Sequence, residues 1–191
     1  MIGESDILNA SILIVDDQEA NVRLLERMLH GAGYTSVSST MNPYEVCALH
    51  QKNCYDLILL DLQMPGMDGF KVMEGLKEIE AGGYLPVLVV TAQPSHKLRA
   101  LQAGAKDFLS KPFDLVEVLA RAKNMLEVRL LHTKTRNYAA KLEQALLEVS
   151  ESRGLVQKLN VSLQEHVVTL DAVNEELESY SHSVSHDLRA P

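Results

Sequence analysis

Three short apolar runs in this chain each end on polar residues that can bind a cation or handle phosphate. The runs and their polar residues are 12–15 with Asp16 and Asp17, 57–60 with Asp61, and 87–90 with Thr91. A fourth segment, 106–110, leads into Lys111. Carboxylates bind a hard divalent ion, and one of them can attack a phosphoryl group, while an ammonium and a hydroxyl stabilise phosphoryl oxygens. These residue types indicate metal-dependent phosphoryl transfer to an aspartate.

Short apolar runs separated by helical patterns are typical of parallel strands that are buried on both faces. Five such strand–helix units with short connections predict a doubly wound α/β domain with a five-stranded parallel sheet over residues 1–127. We expect strand order 2-1-3-4-5, because it places the ends of strands one and three side by side where the winding reverses. That arrangement brings Asp16, Asp17 and Asp61 together at one edge of the sheet.

The helices between these strands are marked by apolar stripes and by residues that end or begin helices. The first is predicted over 19–33 and closed by two glycines, and the second opens at Asn42-Pro43. A turn-rich loop at 64–69 leads into the third, Pro94-Ser95 begins the fourth, and the fifth starts near Asp114.

Each candidate residue also has an ordinary structural explanation. Asp16 or Asp17 could cap the next helix, Thr91 could simply end a strand, and Lys111 could be a surface cation. The ordinary explanations do not account for the placement of all these residues at the same predicted edge. The joint pattern therefore favours a shared site.

Residues 1 to about 127 resemble the receiver domain of two-component response regulators. The resemblance rests on the motifs at 12–17, 61–69, 91–92 and 111–113, which read ILIVDD, DLQMPGMDG, TA and KPF. It implies phosphorylation of Asp61 by a histidine kinase or a phosphotransfer protein. It also implies Mg²⁺ held by Asp17, Asp61 and the backbone carbonyl of Gln63, with Asp16 acting through water.

The same resemblance assigns roles to residues on the last two strands. It implies that Thr91 and Phe108 form a switch pair, and that Lys111 contacts the phosphoryl oxygens. It further implies a cis peptide bond between Lys111 and Pro112, which proline readily permits. On this reading the chain is a regulatory phosphoacceptor and not itself an enzyme.

The segment 128–178 is predicted to form a coiled coil, from a heptad pattern that continues into the residues after it. One row is apolar throughout, and the row four residues later is partly polar; the first row is Leu142, Val149, Val156, Leu163, Leu170, Leu177 and Val184, and the second is Leu146, Arg153, Asn160, Val167, Asn174, Ser181 and Leu188. Such a pattern predicts a long helix that forms a parallel dimeric coiled coil, in which buried asparagines fix the register. We therefore expect a homodimer.

Residues 179–191 resemble the start of the phosphoacceptor helix of sensor histidine kinases, and His186 is the residue that this family phosphorylates. The heptad phase independently places His186 on the solvated face. Glycine-rich nucleotide-binding clusters are absent from the sequence, so we expect this chain to be part of a longer kinase. The alternative is a response regulator that serves as a dimerising adaptor for another output domain, with His186 inert.

Composition excludes several other classes of function. The net charge of −8 disfavours nucleic acid and anionic membranes as partners. No secretion signal or long apolar run is found, so we expect a cytoplasmic protein whose two cysteines, Cys47 and Cys54, are reduced core residues. A haloacid-type phosphatase would need its nucleophile on strand one, whereas the loop signature here follows strand three.

Overall fold

The computed structural model describes residues 2–80, 83–92 and 94–187, with side chains for all of these except 94–98 and 179–187. The chain divides into a first compact unit that extends to Arg136 and a second that begins at Asn137. No helix within the described ranges combines the length and the apolar composition that crossing a membrane requires.

The first unit is built on five parallel strands with the spatial order β2-β1-β3-β4-β5, as predicted. The strands are β1 Ser11–Val15, β2 Ser36–Thr40, β3 Leu57–Asp61, β4 Val87–Thr91 and β5 Asp107–Ser110. Neighbouring strands pair in parallel register, and Val15 of β1 lies beside Leu60 of β3. The carboxyl ends of β1 and β3 are therefore adjacent.

Helices cover both faces of the sheet. They are α1 Glu4–Leu8, α2 Glu19–Gly31, α3 Val46–Asn53 preceded by a 3-10 turn at Pro43–Glu45, α4 Gly69–Ile79, α5 Pro94–Ala103 and α6 Leu115–Asp187. Ile12 and Ile14 pack with α1, α2 and the start of α6, whereas Leu13 and Val15 pack with α3, α4 and α5. Because successive side chains point to opposite faces, burial on both sides requires an unbroken apolar run.

β2 is an edge strand and differs in composition from the others. Its five residues read SVSST, and only Val37 packs against a core cluster. A strand at the sheet edge with one covered face tolerates this polar sequence, because its outer side remains in contact with water.

Three details differ from the sequence predictions. Helix α1 has no counterpart among them, and α2 ends at Gly31 because Gly33 adopts a φ of +96° that a helix cannot continue. Both cysteines are free, but the prediction that both lie in the core is wrong for Cys54. Cys54 closes α3 with a left-handed backbone (φ +52°), a position at a helix end that leaves it exposed.

Helix α6 begins directly after Asp114, where the sequence predicts a helix start, and Asp114 caps it. The Oδ1 atom of Asp114 accepts hydrogen bonds from the amides of Val116 (2.8 Å) and Glu117 (3.2 Å). In the second unit the apolar heptad row from Leu142 to Leu177 is between 54% and 66% exposed. The row has no cover in the single chain, so the coiled-coil dimer stays a prediction.

Candidate phosphoacceptor site

Three carboxylates meet where β1 and β3 end. Asp16 and Asp17 directly follow β1, and Asp61 is the last residue of β3. Oxygen atoms of the three side chains lie within 4.8 Å of one another. Asp16 and Asp61 are almost fully buried, at 1% and 3% exposure. The predicted convergence of these three residues is therefore found in the described part of the chain.

Lys111 joins two of these carboxylates from the loop that follows β5. Its Nζ atom lies 2.6 Å from Oδ2 of Asp61 and 2.8 Å from Oδ2 of Asp16. The Lys111 backbone is held in turn by its amide, which donates to the Thr91 carbonyl at 3.1 Å. The peptide bond between Lys111 and Pro112 is cis. The cis bond that the family resemblance implies is thus present.

Asp16 is also held by the beginning of α2. Its Oδ1 atom accepts from the amide of Gln18 at 2.9 Å, and the side-chain amide of Asn21 donates to both of its oxygens at 3.0 and 3.1 Å. Asp16 therefore orders the start of the helix and also contributes to the acidic cluster. Sequence reasoning missed Asn21, although an amide in the first turn after the two acids was a usable signal.

Burial and neighbouring charges act in opposite directions on the site. Burial above all raises the pKa of Asp61, and the charge of Asp16 adds to this, while Lys111 and the Gln63 amide act to lower it. For Lys111, burial acts to lower the pKa, but the hydrogen bonds and charges of Asp16 and Asp61 outweigh it and raise the pKa. The Lys111 charge is therefore what allows acids to be buried here.

Asp17 supplies the strongest indication of a cation site. Its Oδ1 atom is buried and has no hydrogen-bond partner among the described residues. A buried carboxylate oxygen without a donor is costly, and a bound cation removes that cost. The three side chains offer only oxygen ligands, which are those that Mg²⁺ prefers. The residues present therefore fit a hard divalent ion.

The remaining predicted site residues lie close to this cluster. Gln63 donates its amide to Oδ1 of Asp61 at 3.0 Å, and its proposed carbonyl contact with a metal stays a prediction. Thr91 is buried at the end of β4, one residue beyond Val90, which is the partner of Asp61 in the sheet register. Both residues thus lie on the edge of the sheet that carries Asp61.

Phe108 lies on β5, half-buried against the core formed with α3, α4 and α5. The Arg121 guanidinium from α6 sits 5.7 Å from its ring centroid and forms ion pairs with Asp107 and Glu117. A cation over an aromatic face is a weak attraction that adds to packing. Sequence reasoning singled out Phe108 but not Arg121.

His186 is separate from this cluster in the sequence and belongs to the second unit. Its backbone lies within α6, but its side chain lies outside the described residues, as do residues 188–191 altogether. The predicted solvent-facing position of its imidazole therefore stays a prediction.

Comparison with known proteins agrees with this geometry. Residues 12–123 match the family model described as the response regulator receiver domain. The receiver domain of the sensor histidine kinase PA1611 from Pseudomonas aeruginosa, solved with a magnesium ion in its active-site cleft, superposes with a TM-score of 0.57 at 28% identity. That superposition covers 62% of this chain and 98% of that one.

Two curated relatives extend the comparison. Response regulator PleD of Caulobacter vibrioides is 41% identical over 135 residues, which are 70% of this chain and 30% of PleD. Transcriptional regulatory protein YvrH of Bacillus subtilis is 36% identical over 121 residues, which are 62% of this chain and 50% of YvrH. The chain thus spans half or less of the length of these relatives. It belongs to the response regulator receiver domain family.

Proposed function

We propose that this chain is a phosphoacceptor module of two-component signalling, phosphorylated on Asp61 in a Mg²⁺-dependent reaction by a histidine kinase or a phosphotransfer protein. The observation that carries the proposal is the pairing of buried Asp61 with Lys111 at 2.6 Å, beside the unsatisfied Oδ1 atom of Asp17. A single ammonium balances part of a cluster of three acids, of which Asp16 and Asp61 are buried, and the remaining negative charge calls for a cation.

In the proposed reaction a carboxylate oxygen of Asp61 forms a bond to the phosphorus of a phosphohistidine on the donor. The phosphorus–nitrogen bond of the donor breaks, and the released imidazole nitrogen takes up a proton. Lys111, which already contacts Asp61, supplies positive charge to the transferred oxygens, and Thr91 supplies a hydroxyl donor from the end of β4.

Asp17, Asp61 and the Gln63 carbonyl would hold the magnesium ion, with Asp16 acting through water. When bound, the ion neutralises the charge that gathers on the phosphoryl oxygens. Asp16 has a second task in this scheme, because Asn21 and the Gln18 amide keep its carboxylate in place when Lys111 turns towards the phosphoryl group.

We further propose that the output passes through α6 as a parallel dimeric coiled coil to a histidine kinase core that carries His186. The support is the exposed heptad row of α6 and the kinase-like string at 179–191. Phosphorylation of Asp61 would draw Thr91 and Phe108 towards the site. The start of α6 contacts Phe108 through Arg121, so this movement would reach the coil.

A second candidate keeps the receiver and the dimer but gives them another output. The relatives PleD and YvrH are named as response regulators or transcriptional regulators, which favours an adaptor whose His186 is inert. The receiver domain of PA1611, by contrast, comes from a sensor histidine kinase. Both candidates share the chemistry at Asp61, and they differ in the output domain and in the role of His186.

The test is to label the full chain with a radiolabelled phosphohistidine donor, with Mg²⁺ or with EDTA, and to compare Asp61→Asn with the exposed control Asp171→Asn. We expect label on the native chain and on the control, only with Mg²⁺, and none on Asp61→Asn. Label that persists on Asp61→Asn would contradict the proposal. A separate incubation with a cognate kinase domain and radiolabelled ATP distinguishes the two outputs, since base-stable phosphohistidine is expected only if His186 is kinase-coupled.

A further inference from the structure

Arg129 connects α6 to the sheet edge opposite the phosphoacceptor site. It lies more than three turns into α6 and is only 12% exposed in its side chain. Its partners lie before the first residues of β3 and β4, so they belong to the amino-terminal edge of the sheet. We call Arg129 and its surroundings, namely His50, Asp56, Glu80 and Tyr84, the basal cluster.

The Arg129 guanidinium is shared between two carboxylates. Its terminal nitrogens lie 3.4 and 3.5 Å from the oxygens of Glu80, and one of them also donates to the Tyr84 carbonyl at 2.6 Å. Its Nε atom lies 3.7 Å from Oδ1 of Asp56, too far for a hydrogen bond. Nε is buried and has no hydrogen-bond partner among the residues that the structure describes.

Each carboxylate is anchored to a different element. Glu80 follows α4 and is paired with the buried His50 of α3, whose Nε2 atom lies 3.1 Å from it. Asp56 precedes β3 and accepts hydrogen bonds from the amide and hydroxyl of Ser11, at 3.0 and 3.1 Å, at the start of β1. Asp56 is therefore tied to the sheet, whereas Glu80 is tied to the helical layer.

Helix α4 joins this cluster to the phosphoacceptor. Its first residue, Gly69, donates its amide to the Leu62 carbonyl at 3.2 Å, and a Cβ atom at Gly69 would lie only 2.6 Å from the Asp61 carbonyl oxygen. The other end of the helix leads directly to Glu80. A rigid helix that is in close contact at both ends transmits a displacement from one end to the other.

We propose that Arg129 is a positioning residue that moves from Glu80 towards Asp56 when Asp61 is phosphorylated, so that α4 forms a second route from the site to the output helix. This inference rests on the proposed phosphorylation of Asp61. A displacement of α4 that is much shorter than a hydrogen bond would be enough for this exchange, because the Nε atom of Arg129 already lies 3.7 Å from Oδ1 of Asp56. The exchange keeps the arginine paired throughout, and so avoids leaving a buried charge alone.

The ion pairs of the basal cluster determine where α6 lies more than they stabilise it. Buried ion pairs are often no more stabilising than apolar side chains of the same volume, but they demand a defined geometry. Arg129 has two possible acceptors that belong to separate elements, and this gives α6 two defined positions relative to the sheet. A fixed apolar contact at this place would offer only one.

The experiment follows two NMR signals in the full chain, the Gln63 amide and the Nε–Hε group of Arg129, with the latter assigned by its loss in Arg129→Lys. Beryllofluoride with Mg²⁺ serves as the phosphoryl analogue. We expect both signals to shift in the native chain, the Arg129 signal in the direction of a newly formed hydrogen bond. Asp61→Asn should abolish both shifts.

The variant Glu80→Gln separates the α4 route from any other route into α6, and Glu74→Gln, an exposed glutamate on the same helix, is its matched control. We expect Glu80→Gln to lose most of the Arg129 shift while the Gln63 shift persists, and Glu74→Gln to keep both. A Gln63 shift without an Arg129 shift would overturn the inference and leave the proposed function intact. An equal Arg129 shift in the two variants would also overturn it. If neither signal responds in the native chain, the proposed function fails and the inference fails with it.

Discussion

Leu59 and Leu163 are the same residue type in opposite surroundings. Leu59, in β3 of the first unit, is 1% exposed and packs among helices and strands of its own chain. Leu163, in the heptad row of the second unit, is 63% exposed. The first unit therefore completes its core within one chain, whereas the heptad row of the second unit is left exposed by its own chain.

Under the proposed function, this contrast suits separate tasks for the two units. A core that is complete in one chain can hold the buried acids and Lys111 in a fixed geometry, which the chemistry of phosphoryl transfer requires. In the proposed dimer, a helix that depends on a partner would respond to small changes in how the two copies meet, which suits the transmission of a signal.

The largest expected effect comes from placing charges in the exposed row. In Leu163→Asp with Leu170→Asp, two carboxylates per chain would be buried at the proposed dimer seam, and we expect the dimer to be lost. Sedimentation equilibrium measures this directly. The matched control, Gln144→Asp with Ala172→Asp, adds the same two carboxylates on the polar face and should remain a dimer. Equal behaviour of the two double variants would refute the proposed seam.

The next largest effect is a loss of stability in the first unit when a buried core side chain is removed. Leu59→Ala removes a buried side chain, and we expect the free energy of unfolding of the first unit to fall by about 2–5 kcal/mol. Urea denaturation followed by the circular dichroism of the first unit alone, residues 1–136, gives the value. Leu29→Ala, on α2 and equally buried, should behave in the same way, while Val116→Ala, which is 74% exposed, should cost little. Similar losses of unfolding free energy in all three variants would mean that buried and exposed side chains contribute alike, which contradicts the core described above.

A smaller effect, a gain in dimer stability, is expected when the polar residues of the proposed coil are replaced. Replacing Asn160 and Asn174 with isoleucine should tighten the dimer, since buried asparagine lowers stability in exchange for register. Analytical ultracentrifugation at increasing dilution gives the dissociation constant. A more stable coil should also resist rearrangement, so signalling in the full-length protein is expected to fail. Intact signalling together with a tighter dimer would show that rearrangement of the coil is not the output.

The smallest effect is a pH dependence at the basal cluster. Burial acts to raise the pKa of Glu80, but His50 and Arg129 outweigh it, and the folded-state pKa lies below the ordinary 4.5. The stability that Glu80 contributes is therefore complete above 4.5 and is lost as the pH falls through the lowered value. The difference in unfolding free energy between the native chain and Glu80→Gln should shrink over that range. If this difference in unfolding free energy stays constant with pH, the charged form of Glu80 is not stabilised by His50 and Arg129.

The sequence was sufficient for the sheet and for most of the acidic site. Strands such as β3 are apolar at every position because both faces are covered, and that pattern, together with short connections, fixes the strand order and the convergence of Asp16, Asp17 and Asp61. The link from Lys111 to those acids follows from the same topology, since it lies at the end of the last strand.

The contacts that the sequence did not reveal depend on distances between remote segments. Arg129 meets Asp56 and Glu80 across 73 and 49 positions of the chain, and no local pattern marks such a pairing. Helix α1 has only five residues, too few for a periodic stripe to be recognised. Cysteine is usually a buried residue type, but Cys54 is exposed because it adopts a left-handed backbone at the end of α3. Tertiary geometry determines that conformation.

The polar sequence of the edge strand β2 has a further consequence if the coil holds two copies together. Tethering keeps the two sheets at a high effective concentration, and unpaired strand edges at such concentrations tend to join into continuous sheets and aggregate. The serines and the threonine of β2 make that edge a poor template for another strand. In the proposed dimer, these four polar residues would therefore protect the assembly from self-association at the wrong surface.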